Sequence, residues 1–410
     1  MTMANNTYVR LSSDVYICNG YCNSLIMDCN THKIFQLDSE ANDLLGGFLN
    51  GNKYVFGVNK EADKLIGFLQ EKALINLTER HIKSVLLPPK AKEPLQTVWL
   101  ELRRKCNMHC IHCYNASNPK AETSKLMSVE QWKSIINQLK GYHPKTIVLI
   151  GGEPLLYDGL VDLIKYIKEE LENIVLVLYS NLTFINDEII NAIKTYDVKI
   201  VTSIYANDEN IHDSITTHKG SFIKTTTNIK RLKSNGVDIR ANTVVMKNNQ
   251  DVIESTIKYI KDLTGKLPKI DEIRTTDERL NSLLPDKRLK KNTITSIHDI
   301  NKPTKKKIQK SVSGNSCWQG KINISYDGYV SPCIMQSPES IKKYNLKTAS
   351  LKSVIDEFLI PNYWELSKDK ISTCSVCEFR YLCNDCRPLA NALTTRANNC
   401  NYDPFSGEWL

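Results

Sequence analysis

The chain has 410 residues and no apolar run approaching the about 18 that a membrane-spanning helix requires. Its start, MTMANNTYVRLSSD, has no basic segment followed by an apolar one, so no secretory signal is expected. Glycine and proline are sparse, 17 and 14 residues, which excludes collagen-like or long low-complexity regions. The lysine-rich runs at 287–291 and 305–310 lack interleaved aromatic residues, and no base-reading motif accompanies them. Nucleic acid is therefore not an expected partner. The net charge of +9 reads as solvated surface, with attraction to an acidic peptide segment as the alternative. Hydrophobic content of 41% and charged content of 24% fit a soluble protein with more than one core, and the expected compartment is the cytoplasm. Cysteine is the residue in excess. Thirteen thiols kept reduced in that compartment point to metal rather than to disulfides.

Short β-like runs at 8–11, 24–29 and 33–37 precede helical patterns at 40–49 and 60–71. This order makes 1–80 an independent α+β unit. Residues 81–96 carry Pro88, Pro89 and Pro94 among lysines and form a linker. From residue 97 strand and helix alternate. Strands are predicted at 97–103, 145–150, 174–179, 198–205, 237–246 and 269–274. Helices follow each of the first five, the first carrying Trp132, Ile135, Ile136 and Leu139 on one face and a capping box from Ser128 and Gln131. Repeated βα units require a mainly parallel sheet with right-handed crossovers. Six strands predict a partial (β/α)6 TIM-like barrel over 97–275, with chemistry at the C-terminal strand ends. Residues 276–316 read as a polar bridging segment, and 317–410 as a cysteine-rich domain.

Two motifs lie at such strand ends. The first is Cys106-x3-Cys110-x2-Cys113. Three thiolates on one tight loop can hold three irons of a 4Fe–4S cube and leave the fourth open; a zinc knuckle or three reduced thiols are the alternatives. The second is Gly151-Gly152-Glu153-Pro154, directly after a strand. Together they resemble the radical S-adenosylmethionine superfamily. That resemblance implies Cys106, Cys110 and Cys113 as ligands of a 4Fe–4S cluster, with S-adenosylmethionine at its open iron. It further implies that Gly151, Gly152 and Glu153 grip the methionine amino group. His112 stands where the superfamily has an aromatic residue near adenine. Ser180, Asn181 and Ser203 would hold carboxylate and ribose. Leu182 replaces a glycine common after the asparagine, and the arginine common after His212-Asp213 is absent.

The later cysteines resemble the SPASM extension. They run Cys317, Gly328, Cys333, then Cys374-x2-Cys377-x5-Cys383-x2-Cys386, then Cys400, with one gap a residue shorter than the family pattern. The resemblance implies two auxiliary 4Fe–4S clusters. Cys374, Cys377, Cys383 and Cys400 would hold one, and Cys317, Cys333 and Cys386 the other, with an open iron. A pair of structural zinc sites is the alternative. Cys18, Cys22 and Cys29 are left over and read as structural thiols.

Residues 1–80 resemble the winged-helix-like domain with which peptide maturases bind a leader peptide on a sheet edge. The whole then resembles a radical S-adenosylmethionine enzyme acting on a ribosomally made precursor peptide, with an electron donor such as flavodoxin or ferredoxin. The expected product is a thioether between a cysteine sulfur and a carbon. Carbon–carbon or carbon–oxygen crosslinking, formylglycine formation on a sulfatase, and a catalytically silent cluster carrier are the alternatives. No catalytic side chain beyond the cofactor-binding residues is identified.

Overall fold

The computed structural model describes residues 7–121, 125–274, 278–286, 296–336, 344–384, 386–398 and 400–409. The lysine run at 287–291 lies outside them. The described chain divides into two compact units. One holds residues up to Lys92 with Thr293–Cys317 and Trp364–Leu410; the other holds Glu93–Asn292 and Trp318–Tyr363. The segment expected over 317–410 is thus shared between the two.

In the first unit, β1 (Tyr8–Leu11) pairs antiparallel with β5 (Ile75–Thr78). A meander of β2 (Val15–Asn19), β3 (Ser24–Asp28) and β4 (Lys33–Leu37) follows β1. Strand β2 is additional to the sequence prediction. Helix α1 (Ser39–Leu49) is capped by Asp38, and α2 (Lys60–Glu71) by Asn59, each carboxylate or amide oxygen accepting from first-turn amides. Leu45, Leu49, Ala62, Ile66 and Leu69 from these helices share a buried core with Val9, Leu11, Ile17 and Ile26.

The other face of the meander builds a second core. Tyr16, Cys18, Leu25 and Met27 pack with Ile308 and Val312 of helix α9 (Lys305–Ser313) and with Phe379, Tyr381, Leu382 and Tyr402. Tyr402 belongs to a short hairpin, β14 (Tyr402–Asp403) with β15 (Glu408–Trp409). The N-terminal sheet is therefore buried on both faces, which is why β3 has an unbroken apolar centre, Leu25-Ile26-Met27, and is buried along its whole length.

The second unit contains the βα repeat. Its strands are β6 (Thr97–Glu101), β7 (Thr146–Ile150), β8 (Val175–Tyr179), β9 (Lys199–Ser203), β10 (Ile239–Val245) and β11 (Ile270–Glu272), each parallel to the next. The helices are α3 (Val129–Leu139), α4 (Leu160–Glu170), α5 (Asp187–Thr195), α6 (Glu209–Thr216), α7 (Ser221–Ser234) and α8 (Ile253–Thr264). The Ser128–Gln131 capping box forms as predicted. Helix α6 is additional. So are β12 (Lys321–Ile324), parallel to β6, and β13 (Val330–Ser331), which extend the sheet to eight strands.

Strand alternation divides this sheet. Leu100, Ile147, Leu149, Leu176, Leu178 and Ile200 are fully buried on the helix-bearing face. Of the residues between them, Val148 is buried, Trp99, Val177, Val201 and Ser203 are half-buried, and Tyr179 is exposed. That opposite face is the open concavity of a partial barrel, and β6, β7 and β8 deliver their C-terminal ends to one rim of it.

Candidate active site

The cysteine loop leaves β6 at Glu101 and is closed at Asn115, whose side-chain amide donates to the Glu101 carboxylate. Its middle is fastened to α6. The amides of His109 and Ile111 donate to the carbonyls of Thr216 and Ile215, and the Thr217 hydroxyl donates to the His109 carbonyl at 2.6 Å. Cys106 is buried, and Cys110 and Cys113 are half-buried. Burial pushes the Cys106 thiol up to about 11, with Glu153 and Cys113 adding to it. Burial, then the Cys113 and Cys106 thiols, also push Cys110 up. Thiols held protonated in this way, as Cys106 and Cys110 are, need a bound cation to become thiolates. Among the described residues no three cysteine, histidine or carboxylate side chains converge enough to hold a single metal ion. A multi-iron cluster, which spreads its thiolates over several irons, suits this donor set.

Beside Cys106 lies a cleft of about 360 Å³, lined also by Arg103, Lys105, Asn107, Pro119 and Leu156. The Arg103 Nε is buried without a hydrogen-bond partner. Two cations and an unsatisfied donor around one thiol suit an anionic group in the cleft.

Gly151 and Gly152 are required by the loop itself. A Cβ on Gly151 would stand 2.5 Å from the Arg103 carbonyl oxygen, and Gly151 has φ +155°. The Gly152 and Glu153 amides donate to the carbonyls of Arg103 and Lys105 at 2.7 and 3.0 Å. The glycines thus press the end of β7 against the cysteine loop.

Glu153 is buried, and its carboxylate collects three donors: the Leu155 amide at 2.9 Å, the Ser180 hydroxyl at 2.8 Å and the Asn181 amide at 2.8 Å. Burial raises its carboxyl to about 7 against these donors. Its visible work is to hold the end of β8. Asn181 then donates from Nδ2 to Asn107 Oδ1 at 2.8 Å and lies 3.8 Å from the Cys106 sulfur. Leu182 has φ +53°, the left-handed backbone that glycine adopts without strain, which explains the superfamily's preference there.

His112 is stacked edge-on to Tyr205, ring centroids 4.6 Å apart. Burial and then His212 lower its imidazole to about 4, so the ring is neutral, and its Nδ1 is buried without a partner. Burial pushes the Tyr205 phenol up, with Ser203 opposing. Asp213 accepts from the Ser221 hydroxyl and the Phe222 amide and so caps α7. The motif around it is accounted for by this cap.

The structure brings Cys106, Cys110, Cys113, Gly151, Gly152, Glu153, Ser180 and Asn181 into one connected site, with His112 and Ser203 joined through Tyr205. Sequence reasoning missed Arg103, Asn107 and Glu101. Arg103 precedes the cysteine loop in sequence and was a detectable signal; the other two carry none.

Among the later cysteines, burial strongly raises the Cys377 thiol, with Glu378, Cys383 and Cys374 adding to it. Cys377, Cys383 and Cys400 pack against the second core of the first unit. Cys317 lines a cavity of about 440 Å³ with Lys306, Lys307, Lys310 and Asn384 in that unit. Cys317 and Cys386 belong to the first unit and Cys333 to the second. Of the leftover thiols, Cys18 is buried, Cys29 packs on the same core, and Cys22 donates to the Phe405 carbonyl at 2.8 Å.

The chain is 24% identical over 357 residues to the antilisterial bacteriocin subtilosin biosynthesis protein AlbA of Bacillus subtilis, spanning 82% of this chain and 78% of that protein. It is 28% identical over 159 residues to the sporulation killing factor maturation protein SkfB of the same organism, 39% of this chain and 38% of that one. Streptococcus suis SuiB, solved bound to its precursor peptide SuiA, superposes with a TM-score of 0.59 at 14% identity, over 94% of this chain and 98% of that one. At that identity the likeness is one of fold. The sequence pattern of the radical SAM superfamily matches residues 100–260, the same βα units that carry the cysteine loop and the Gly-Gly-Glu segment. Residues 100–260 thus carry a radical SAM domain, and the chain is an enzyme whose chemistry rests on a 4Fe–4S cluster and S-adenosylmethionine.

Proposed function

We propose that the chain matures a ribosomally made precursor peptide by closing a thioether between a cysteine sulfur and a carbon of that peptide. The observation that carries this reading is the likeness to AlbA, named for the biosynthesis of a bacteriocin, over 82% of the chain. The fold shared with a protein solved around its precursor peptide supports it.

In this reading Cys106, Cys110 and Cys113 hold the radical cluster. Arg103 supplies the cation for the methionine carboxylate that the missing arginine would have given. Gly151 and Gly152 keep the strand end against the loop, and Glu153 fixes Ser180 and Asn181 beside the amino acid end of the ligand. His112 and Tyr205 flank adenine, and Ser203 meets the ribose. The cofactor, when bound, would supply a 5′-deoxyadenosyl radical that takes one hydrogen from a peptide carbon; closing the carbon–sulfur bond would release the thiol proton to solvent and one electron to an auxiliary cluster. The open concave face, with Trp99, Val177 and Tyr179, receives the peptide segment to be modified.

Residues 1–80 bind the leader on the β4 edge beside α2, where Phe68 is exposed and stacks on Phe35. The barrel spans 97–275, reached by the 81–96 linker, and 276–316 bridges to a SPASM domain at 317–410. There Cys374, Cys377, Cys383 and Cys400 hold one auxiliary 4Fe–4S cluster, and Cys317, Cys333 and Cys386 a second with an open site. Flavodoxin or ferredoxin supplies the electron in the cytoplasm; among the described residues no helix is long and apolar enough to cross a membrane.

Mass spectrometry of the reacted precursor peptide tests the product. The expected result is a loss of two hydrogens with one cysteine no longer alkylatable. Loss of two hydrogens with every cysteine still alkylatable would reject the thioether in favour of another crosslink.

A further inference from the structure

The stretch between Cys377 and Cys383 does more than space two thiols. Arg380 stands midway, three residues from each, and its side chain is only 13% exposed. Its Nη1 donates to the carbonyl of Cys377 at 2.9 Å and to the carbonyl of Asn19, at the end of β2, at 2.7 Å. Its Nε donates to Asp369 Oδ1 at 2.9 Å, and the guanidinium lies 4.7 Å over the Tyr381 ring. The Tyr381 hydroxyl donates to the same Asp369 oxygen at 2.8 Å. Lys368 donates to the Cys383 carbonyl at 2.5 Å. Glu378, which faces the N-terminal sheet, accepts from Gln36 at 2.9 Å and from Tyr402.

A guanidinium keeps its charge at every accessible pH and is the most weakly hydrated cation a protein has, so it tolerates this burial. The geometry points to Arg380 as a positioning residue that sets the reduction potential of the cluster held by Cys374, Cys377, Cys383 and Cys400. This rests on the auxiliary-cluster reading above. Reduction adds one electron to the cluster and makes or breaks no covalent bond to the protein. A fixed cation beside the ligands favours the reduced, more negative state. Asp369 opposes it, but the guanidinium is the member of the pair that touches the ligand residue. Because Asn19 holds the same guanidinium, the N-terminal sheet is part of the cluster's electrostatic surroundings.

The test is a redox titration followed by electron paramagnetic resonance, on the full chain with Cys106, Cys110, Cys113, Cys317 and Cys333 replaced by alanine, so that one cysteine set remains. Arg380→Gln should lower the potential, Arg380→Lys should restore it, and Asp369→Asn should raise it. The opposite sign of the aspartate variant keeps the test open where Arg380→Gln loads iron poorly. Potentials that coincide in all variants, at full iron and sulfide content, would overturn the inference and leave the auxiliary cluster standing. A background chain that takes up no iron and sulfide would overturn the auxiliary-cluster reading and this inference with it.

Discussion

Gly152 packs against Lys105 so closely that a Cβ on it would stand 2.2 Å from the Lys105 carbonyl oxygen and 2.4 Å from that of Arg104. These are backbone atoms of the segment that leads into Cys106, and they cannot swing aside. Gly152→Ala should therefore cost about 2–4 kcal/mol in denaturant unfolding. It should also displace the cysteine loop, seen as loss of cluster absorbance and of 5′-deoxyadenosine release.

Glu101 carries a consequence for pH. Burial raises its carboxyl from 4.5 to about 7, with Asn115 and Arg104 opposing. Between those values the folded chain keeps a proton that the unfolded chain has lost. The Glu101 contribution to stability must therefore fall as pH rises through that window and level off above it, beside a like contribution from Glu153 and an opposite one from His112. In denaturant titrations of the iron-free chain, the stability of the unaltered chain relative to Glu101→Gln should fall across this window. An unchanged slope in the variant would place the proton elsewhere.

Leu182 offers a comparison with an unusual order. The residue is fully buried, so truncation removes packing, yet its φ of +53° is strained for any side chain. Left-handed backbone costs an L-residue about 1–2 kcal/mol. Leu182→Gly should consequently be less destabilising than Leu182→Ala, although it removes more atoms. Chemical denaturation of the two variants decides it.

Replacing Cys106, Cys110 and Cys113 together by alanine should lower iron by one cluster per chain and abolish 5′-deoxyadenosine formation. Precursor-peptide binding, measured by fluorescence anisotropy, should persist, because the proposed leader site lies in the first unit. Loss of both functions would show that the peptide is held by the barrel instead.

Much of this was legible in sequence because it is local. The apolar spacing of Trp132, Ile135, Ile136 and Leu139 and the Ser128–Gln131 box announce α3 before any packing is known. The three cysteines and the Gly-Gly-Glu segment stand at strand ends because parallel βα units put loops there. What failed had no local signal. The sheet grows by β12 through pairing Lys321–Ile324 against Thr97–Leu100, a register that no periodicity encodes. Glu153 gathers the Ser180 hydroxyl and the Asn181 amide from the end of β8, a pairing that no spacing along the chain encodes.

By itself the sequence determined the chemistry: which thiols exist, their spacing, and the alternation that makes a barrel rim on which to display them. Tertiary structure alone decided which groups surround those thiols. It set the unsatisfied Arg103 beside Cys106, the carboxylate of Glu153 under Asn181, and Cys18 of the first sheet 3.9 Å from the carbonyl of Cys377. Spacing along a chain governs contacts within a few residues, whereas burial and charge depend on pairings across hundreds, and only the folded core selects those.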